Sequence, residues 1–333
     1  PNDHVNCAQS TNDAYPSAFR YAFIRMNREL TAELSKLVAA LRKKGDEFND
    51  SIKMGRTQLQ DAVPMTSGQE FHAFADTLED EIANLNRNAN LLYEINMGAT
   101  AIGTGLNAVA GYAELCTQKL CELTGEPFTK ARDLVAATPD TGDYVSYSAA
   151  LKRLAVKLSK TCNDLRLMAS GPRCGLHEIN LPPMAPGSSI MPGKVNPVIP
   201  EITNQVCFKV IGNDSTVCLA AEAGQLQLNV MEPIITECIF ESITWLRNVM
   251  QILREKCIDG ITINREHNAA TVKNSIGIVT ALNPVIGYKA STKIAKEALE
   301  TGKGVYDLVL EHGILSKEQL DELLDPSNML AAH

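Results

Sequence analysis

The sequence predicts an all-α protein, built as an elongated bundle of long helices with a small C-terminal helical domain. Three observations support this fold class. Apolar residues recur at intervals of three and four over long segments. Strand signals are nearly absent, with aromatic residues at 5%. Segments rich in Gly, Pro, Thr and Ser separate helices of about 40 Å, which are longer than a compact globule needs.

The first long helix is predicted from about Ala14 to Lys44, where Gly45 after a basic run gives a stop signal. Its apolar residues share one face: Phe19, Ala22, Phe23, Met26, Leu30, Leu34, Leu37 and Leu41. The same periodicity predicts four more long helices, at Ser67 to about Ile95, Tyr144 to Ser170, about Asn196 to Glu222, and Val230 to Cys257. After Gly260 the helical segments become shorter, which predicts the small C-terminal domain.

Composition disfavours several classes of function. The formal charge of −8 at pH 7 disfavours nucleic acid as a partner, because phosphate binding needs a surplus of Lys and Arg. No segment approaches 18 consecutive apolar residues, so no membrane-spanning helix is predicted. His4 and Cys7 have a metal-like spacing, yet no second pair accompanies them, and we predict no metal site.

The nine cysteines form no CxxC pair and lie scattered through the chain. They predict buried thiols in a reducing, cytoplasmic compartment rather than a disulfide framework. The residues are Cys7, Cys116, Cys121, Cys162, Cys174, Cys207, Cys218, Cys238 and Cys257.

Polar residues occur on helix faces that we expect to be buried. Such groups are costly in a lone monomer unless they are paired, so they favour association between copies of the chain. They are Asn204, Gln205, Glu222, Gln225, Gln227 and Asn229.

The most informative segment is PGSSIMPGKVNP, residues 186–197. Its glycines and prolines rule out a helix, and it carries two hydroxyls, an ammonium and a carboxamide. Such a loop can close over a small anion, since Gly187 and Gly193 permit unusual backbone angles while Lys194 and Asn196 donate hydrogen bonds. An ordinary surface linker is the alternative, because serine and glycine are common in linkers.

Two further segments carry uncharged donors. QSTND, residues 9–13, precedes the first long helix, where free N–H groups favour a carboxylate, although helix capping alone also explains its composition. GRTQLQDAVP, residues 55–64, places Thr57, Gln58 and Gln60 before the next helix, and a polar turn is the alternative there.

Together these segments resemble the aspartase/fumarase superfamily, whose defining feature is the GSSxMPxKxNP loop. The resemblance extends over essentially the whole chain and is closest to the aspartate ammonia-lyase family. The strings that carry it are NDHVN, QSTND, MGRTQLQDAVP, GATAIGTGLN, ALKRLAVKLSK, GSSIMPGKVNP, NQVCFKVIGND and AAEAGQLQLNVMEP.

The resemblance implies specific roles in catalysis. Ser188 on the mobile loop would be the general base, and Lys194 would stabilise its oxyanion. Lys194 and Asn196, together with Thr57, would hold the α-carboxylate of the substrate. Glu201 follows the loop and matches a supporting carboxylate that pairs with a histidine in fumarases.

The same resemblance implies that Ser10, Thr11 and Ser189 hold the β-carboxylate, and that Asn12 and Gln58 lie near the amino group. Fumarases of this superfamily carry histidine in the string that contains Gln58. Glutamine cannot donate a proton as a general acid at neutral pH, whereas an ammonium departs as neutral ammonia without one. Glutamine at this position therefore favours deamination over dehydration.

The activity implied is reversible deamination of L-aspartate to fumarate and ammonia through an aci-carboxylate intermediate, without an organic cofactor. Some family members are activated by divalent cations, and no ligand set in this sequence names a site. The implied assembly is a homotetramer in which three subunits contribute to each active site. The alternatives are a class II fumarate hydratase, and a non-catalytic structural relative or inactive fragment.

The resemblance also places the start of this chain well inside a family chain. Residues 1–12 would then be the remnant of an N-terminal domain, 13–262 the central helical bundle, and 263–333 the small C-terminal helical domain. A threonine-bearing segment that binds substrate in the family would precede Pro1, so a site assembled from this chain alone would be incomplete.

Overall fold

A computed structural model describes residues 3–185, 187 and 190–325 of the chain. The predictions for Ser188 and Ser189 therefore concern residues outside the described part. Within it, the fold is predominantly helical, with twelve α-helices and six short strands. The all-α prediction is confirmed.

Five of the helices are long, and each overlaps a predicted one. They are α1 (Thr11–Glu47), α2 (Ser67–Ala89), α5 (Gly142–Met168), α6 (Val198–Glu222) and α7 (Glu232–Lys256). Helix α1 has 37 residues and therefore runs about 55 Å at 1.5 Å per residue. The shorter helices are α3 (Tyr112–Thr124), α4 (Leu134–Ala137), α8 (Arg265–Asn274), α9 (Val279–Ile286), α10 (Tyr288–Thr301), α11 (Val305–Glu311) and α12 (Lys317–Leu323).

The six strands form three two-stranded sheets. Strands β1 (Ile52–Thr57) and β2 (Gln60–Thr66) make an antiparallel hairpin. Strands β3 (Glu94–Ile95) and β4 (Thr129–Lys130) pair in parallel, and β5 (Ile179–Asn180) pairs antiparallel with β6 (Thr262–Ile263). Residues 55–64, for which a polar turn was the alternative interpretation, form paired strands around a two-residue turn.

The chain divides into two compact units. Unit 1 contains the residues up to Leu37, Thr77–Asn163 and Ile199–Arg254, and unit 2 contains Val38–Asp76, Asp164–Val198 and the residues from Glu255 onward. The domain boundaries expected from the sequence and the family resemblance remain a prediction.

Aromatic side chains of three helices build much of the core of unit 1. Phe23 of α1 stacks on Tyr147 of α5 with ring centroids 6.3 Å apart, and it contacts Phe240 of α7 at 4.7 Å. Arg20 enters this core as a buried cation, since it donates to the hydroxyl of Tyr144 at 2.9 Å and pairs with Asp143 at 2.8 Å.

An apolar cluster in unit 2 joins the hairpin to the C-terminal helices. Ile52 and Met54 of β1 lie on one face of the strand and pack into it, as alternation along a strand requires. Their partners in the cluster are Val272, Ile278, Leu282, Ile294, Ala298, Val305, Leu308, Val309 and Leu320. This packing fixes one face of the strand that leads to Thr57.

All nine cysteines have free thiols, and the prediction that they are buried is only partly right. Cys162, Cys207, Cys238 and Cys257 are buried, whereas Cys116 and Cys121 are half-buried. Cys7, Cys174 and Cys218 are exposed, because they lie in turns or on the outer face of α6.

The predicted buried polar faces are also only partly right. Asn204 is buried, but its side chain donates to the hydroxyl of Ser159 at 2.8 Å, so it is satisfied within the chain. Asn229 is buried and donates to the carbonyl of Ala220 at 3.0 Å. The remaining predicted residues are exposed: Gln205, Glu222, Gln225 and Gln227. None of the helices in the described part is long and apolar enough to cross a membrane.

Candidate active site

Ser10, Thr11 and Asn12 lie in unit 1 at the start of helix α1. Ser10 caps the helix, because its hydroxyl accepts the backbone N–H of Asn12 at 3.1 Å. The Thr11 hydroxyl donates to Oδ1 of Asn12 at 3.3 Å. The first turn therefore presents hydroxyls and the positive end of the helix dipole, which together suit a carboxylate.

The side chain of Asp13 fixes the start of helix α1, where Ser10, Thr11 and Asn12 lie. Its carboxylate is fully buried and accepts backbone N–H groups from Ser10 at 3.1 Å, Gly98 at 3.2 Å and Thr100 at 2.9 Å. A buried carboxylate needs such donors, since ionised oxygens without partners are very costly. The arrangement ties the start of α1 to the loop at residues 96–101.

Asn12 is held by the same loop. Its side-chain nitrogen donates to the backbone carbonyl of Ala101 at 2.7 Å, and its backbone carbonyl accepts from the Asn96 side chain at 3.0 Å. Because the amide nitrogen is engaged, Asn12 presents Oδ1, which is an acceptor suited to an ammonium group.

Thr57 and Gln58 lie in unit 2 at the tip of the β1–β2 hairpin, and both are exposed. Thr57 pairs with Gln60, so the turn consists of Gln58 and Leu59 alone. Both turn residues have positive φ, 54° and 63°, the sign required by a type I′ turn. Such turns favour Asn and Gly, and other residues there carry backbone strain of about 1 kcal/mol or more. Strain of this kind is typical of functional sites.

The hairpin is anchored close to its tip. The Ser275 hydroxyl donates to the Asp61 carboxylate at 2.7 Å. On the first strand, Arg56 pairs with Glu178, and the buried Lys53 lies 2.5 Å from Glu70 and 2.7 Å from Glu178. Burial raises the pKa of Glu70, although the nearby Lys53 opposes this effect.

Lys194 and Asn196 lie in unit 2 on the loop at residues 186–197, which is not helical in its described part. The Asn196 side chain donates to the carbonyl of Gly187 at 2.9 Å. A side chain at Gly187 would collide with the backbone carbonyl of Lys194, so this close approach requires glycine. The two ends of the loop are therefore joined, and Lys194 is left exposed to solvent.

Glu201 lies in the first turn of α6 and belongs to unit 1. Its side chain is half-buried, and its carbonyl accepts from the Gln205 side chain at 3.4 Å. A carboxylate in the first turn suits the positive end of the helix.

The structure thus places the predicted residues in two groups, one in each compact unit. Unit 1 carries Ser10, Thr11, Asn12 and Glu201, and unit 2 carries Thr57, Gln58, Lys194 and Asn196. In the described residues, no three His, Cys, Asp or Glu side chains come together as metal ligands.

Sequence reasoning missed the residues that hold these segments in place. Asp13 was interpreted as one of several caps, and Lys53, Arg56 and Glu178 were not singled out. Lys53 offered a signal, since a lysine between Ile52 and Met54 in a short apolar segment requires a buried partner or solvent.

The chain is similar to known families and proteins over most of its length. Residues 1–212 match the family described as "Lyase", and residues 278–331 match the "Fumarase C C-terminus". A curated protein of Pseudomonas aeruginosa, "Aspartate ammonia-lyase", is 59% identical over 332 residues, which cover 99% of this chain and 70% of that protein. A protein of the same name from Escherichia coli (strain K12) is 57% identical over 330 residues and is covered to 69%.

Solved structures share the fold. A Brucella melitensis protein described as "fumarate lyase:delta crystallin" bound to cobalt has a TM-score of 0.95 and 52% identity, with 99% of this chain and 71% of that chain covered. A class II fumarase from Schistosoma mansoni has a TM-score of 0.92 and 35% identity, with 100% and 73% covered.

Proposed function

The chain belongs to the aspartase/fumarase superfamily, and from this premise we propose that it is an aspartate ammonia-lyase, which converts L-aspartate reversibly to fumarate and ammonia. The observation that carries the proposal is the 57% to 59% identity to proteins of that name over nearly the whole chain. The class II fumarase that shares the fold is more distant, at 35% identity.

The reaction requires loss of a proton from the carbon next to the β-carboxylate, which is a very weak acid beside a negative charge. Electron density that spreads into this carboxylate as an aci-carboxylate needs donors aimed at it, and each is worth about 3 kcal/mol in a dry site. We assign Ser10, Thr11 and Ser189 to this task. The capping geometry at the start of α1 supports the assignment of Ser10 and Thr11.

We assign Ser188 as the base that removes this proton. A serine hydroxyl holds its proton at neutral pH, so its oxyanion needs a cation and N–H donors nearby, and Lys194 supplies the cation. The exposed ammonium of Lys194 and the short loop joined by Asn196 and Gly187 support this role. Lys194 and Asn196, with Thr57, then hold the α-carboxylate.

The leaving amino group departs as ammonia without a general acid. In the proposed site Asn12 presents Oδ1 toward the ammonium, and Gln58 adds an uncharged amide. Loss of hydroxide from malate would benefit from an acid that neither side chain provides. Glu201 is assigned a supporting role as a carboxylate at the start of α6.

The proposed assembly is a homotetramer with active sites drawn from three subunits. The outer face of α6 supports self-association, since Phe208 and Leu219 share this face and are 60% and 70% exposed. Apolar side chains aligned along one helix are suited to a partner surface, and a second copy of α6 is self-complementary to it.

The reaction as proposed uses no organic cofactor, because side chains supply every donor and the base. We also propose a cytoplasmic location, since free and exposed thiols such as Cys7, Cys174 and Cys218 persist in reducing compartments. Activity that survives exhaustive dialysis would support the proposal that no organic cofactor is needed, and a complete loss restored by a small organic molecule from the dialysate would contradict it.

The substrate is tested by presenting L-aspartate and L-malate separately and following fumarate by its ultraviolet absorbance. We expect fumarate from L-aspartate and a rate at least 100-fold lower from L-malate. Turnover of L-malate alone would make the protein a fumarate hydratase. Stabilisation by succinate without turnover of either substrate would indicate a non-catalytic relative.

A further inference from the structure

We propose that Glu178 is a positioning residue, which holds the hairpin that carries Thr57 and Gln58 through a buried network with Lys53 and Arg56. The inference rests on the proposed function for its kinetic consequence. Its structural content, that Glu178 fixes the hairpin, is independent of the substrate.

Within the network, Lys53 lies on the face of β1 opposite the apolar cluster, and Arg56 follows a shift in the strand register between Met54 and Arg56. Lys53 alternates with Ile52 and Met54, so it points away from the cluster that these two residues join. The Lys53 side chain is only 5% exposed, and its ammonium lies between the carboxylates of Glu70 and Glu178, at 2.5 and 2.7 Å. Strand β1 is therefore held on one face by apolar packing and on the other by ion pairs.

Glu178 is the centre of the network. It forms ion pairs with Lys53 and Arg56, so it contacts strand β1 at two positions that precede Thr57 in the chain. Its side chain is 5% exposed, and a carboxylate at this depth would be very costly without these cations. Two cations and two carboxylates, including Glu70, balance the formal charge.

The backbone of Glu178 is fixed independently of its side chain. Its N–H donates to the carbonyl of Met168 at 2.9 Å, and its carbonyl accepts from the backbone N–H of Asn264 at 3.0 Å and from the Asn268 side chain at 3.2 Å. Glu178 is thus a rigid support to which the hairpin is attached.

The hairpin needs such a support because its tip is strained. Gln58 and Leu59 both adopt positive φ, and neither is a residue that favours it. An unsupported hairpin would relieve this strain by changing its turn, and Thr57 would then move. Misplacement of a binding group by about 1 Å can lower catalysis by about 100-fold.

Glu178 also lies one residue before β5 (Ile179–Asn180), and the loop that carries Lys194 and Asn196 follows this strand. The same residue therefore supports the hairpin and the start of the segment that leads to the loop. The hairpin with Thr57 and the loop with Lys194 and Asn196 are both assigned to the α-carboxylate of the substrate. Glu178 therefore helps to position both segments.

The test is Glu178→Gln, which keeps the size of the side chain and removes its charge. The matched control is Glu81→Gln, since Glu81 is a fully buried carboxylate that pairs with Lys157 at 2.5 Å and Arg153 at 3.0 Å. Glu81 belongs to unit 1, whereas the hairpin belongs to unit 2. Kinetics with L-aspartate, thermal unfolding and amide hydrogen exchange of residues 52–66 are measured for both variants and the parent protein.

We expect Glu178→Gln to speed amide exchange in the hairpin about tenfold or more and to lower kcat/KM for L-aspartate about 10- to 100-fold, mainly through KM. Glu81→Gln should lower the unfolding temperature without either change. Glu178→Asp, which keeps the charge, should recover part of kcat/KM. If Glu178→Gln does not fold, Arg56→Gln should show the same two effects.

The inference would be overturned if amide exchange in the hairpin and KM for L-aspartate changed equally in the Glu178→Gln and Glu81→Gln proteins. It would also be overturned if neither quantity changed in either protein. If the parent protein does not turn over L-aspartate, the proposed function fails, and hydrogen exchange alone decides the role of Glu178.

Discussion

Oδ2 of Asp13 lies 2.9 Å from the backbone nitrogen of Thr100, in a contact that joins the first turn of α1 to a loop far away in the sequence. Thr100 has a positive φ of 59°, which a threonine adopts only when its surroundings hold it there. The same carboxylate accepts the N–H of Ser10. One buried aspartate therefore sets the position of the segment that carries Ser10 and Thr11, two of the residues assigned to the β-carboxylate.

Replacement of Asp13 by Asn tests this relationship. The side-chain NH2 of Asn would face backbone N–H groups, so hydrogen bonds to that end of the side chain would be lost. We therefore expect a decrease of about 2 kcal/mol in the free energy of unfolding and a fall of about tenfold in kcat/KM. Urea denaturation and steady-state kinetics measure both quantities. Asp133→Asn is the matched control, because Asp133 is an exposed cap and Asn caps equally well. Equal effects of the two variants would contradict the account.

Strain in the hairpin turn predicts a trade between stability and activity. The double substitution Gln58→Asn with Leu59→Gly supplies the residues that type I′ turns favour, and we expect a gain of about 1 kcal/mol in stability. The shorter Asn side chain withdraws its amide from the substrate, so kcat/KM should fall. Thermal unfolding and kinetics on the same preparation check this prediction. A variant that gains stability and keeps full activity would show that Gln58 has no role at the site.

Glu232 predicts a pH dependence of stability. Burial raises its pKa to about 7, partly opposed by Arg20. The folded protein therefore binds this proton more tightly than the unfolded chain does. The stabilisation is fully present below the unfolded pKa of about 4.5 and is lost as the pH rises through about 7, by at most about 3 kcal/mol.

The comparison with Glu232→Gln isolates this effect from other titrating groups. The free energy of unfolding of the parent protein should fall relative to that of the variant between pH 5 and pH 8. Chemical denaturation at several pH values measures the difference. A constant difference over this range would show that Glu232 ionises normally in the folded state.

The outer face of α6 predicts the assembly. Phe208→Glu places a charge on this face, so we expect a smaller species in sedimentation and a loss of turnover in proportion to dissociation. Leu299→Glu is the control, because Leu299 is an exposed leucine of α10 in a polar and charged stretch that contains Lys296 and Glu300. A parent protein that sediments as a stable monomer with full turnover would make shared active sites untenable.

The long helices were predictable from sequence because their signal is local. Apolar residues at helical spacing predicted α1 from about Ala14 to Lys44, and the observed helix is Thr11–Glu47. The three candidate segments were singled out for a different reason. Their glycines, hydroxyls and amides form strings that no packing requirement explains, and the resemblance to a known family rests on them.

The β1–β2 hairpin and the roles of Asp13 and Glu178 were not predictable from the sequence. A type I′ turn is normally recognised by Asn and Gly, and this one contains Gln58 and Leu59, so the local signal was absent. The roles of Asp13 and Glu178 depend on partners distant in the chain, Thr100 and Lys53 among them. Only the tertiary fold brings these groups together.

In the proposed reaction, the oxyanion of Ser188 removes the proton whose loss starts the elimination. Fumarate production from L-aspartate is measured for the parent protein, for Ser188→Ala and for the control Ser35→Ala, whose parent serine is exposed on α1. We expect Ser188→Ala to keep its fold and its affinity for succinate but to lose at least about 1,000-fold in kcat, while Ser35→Ala should match the parent. A Ser188→Ala protein that produces fumarate at the parent rate would contradict the proposed role of Ser188.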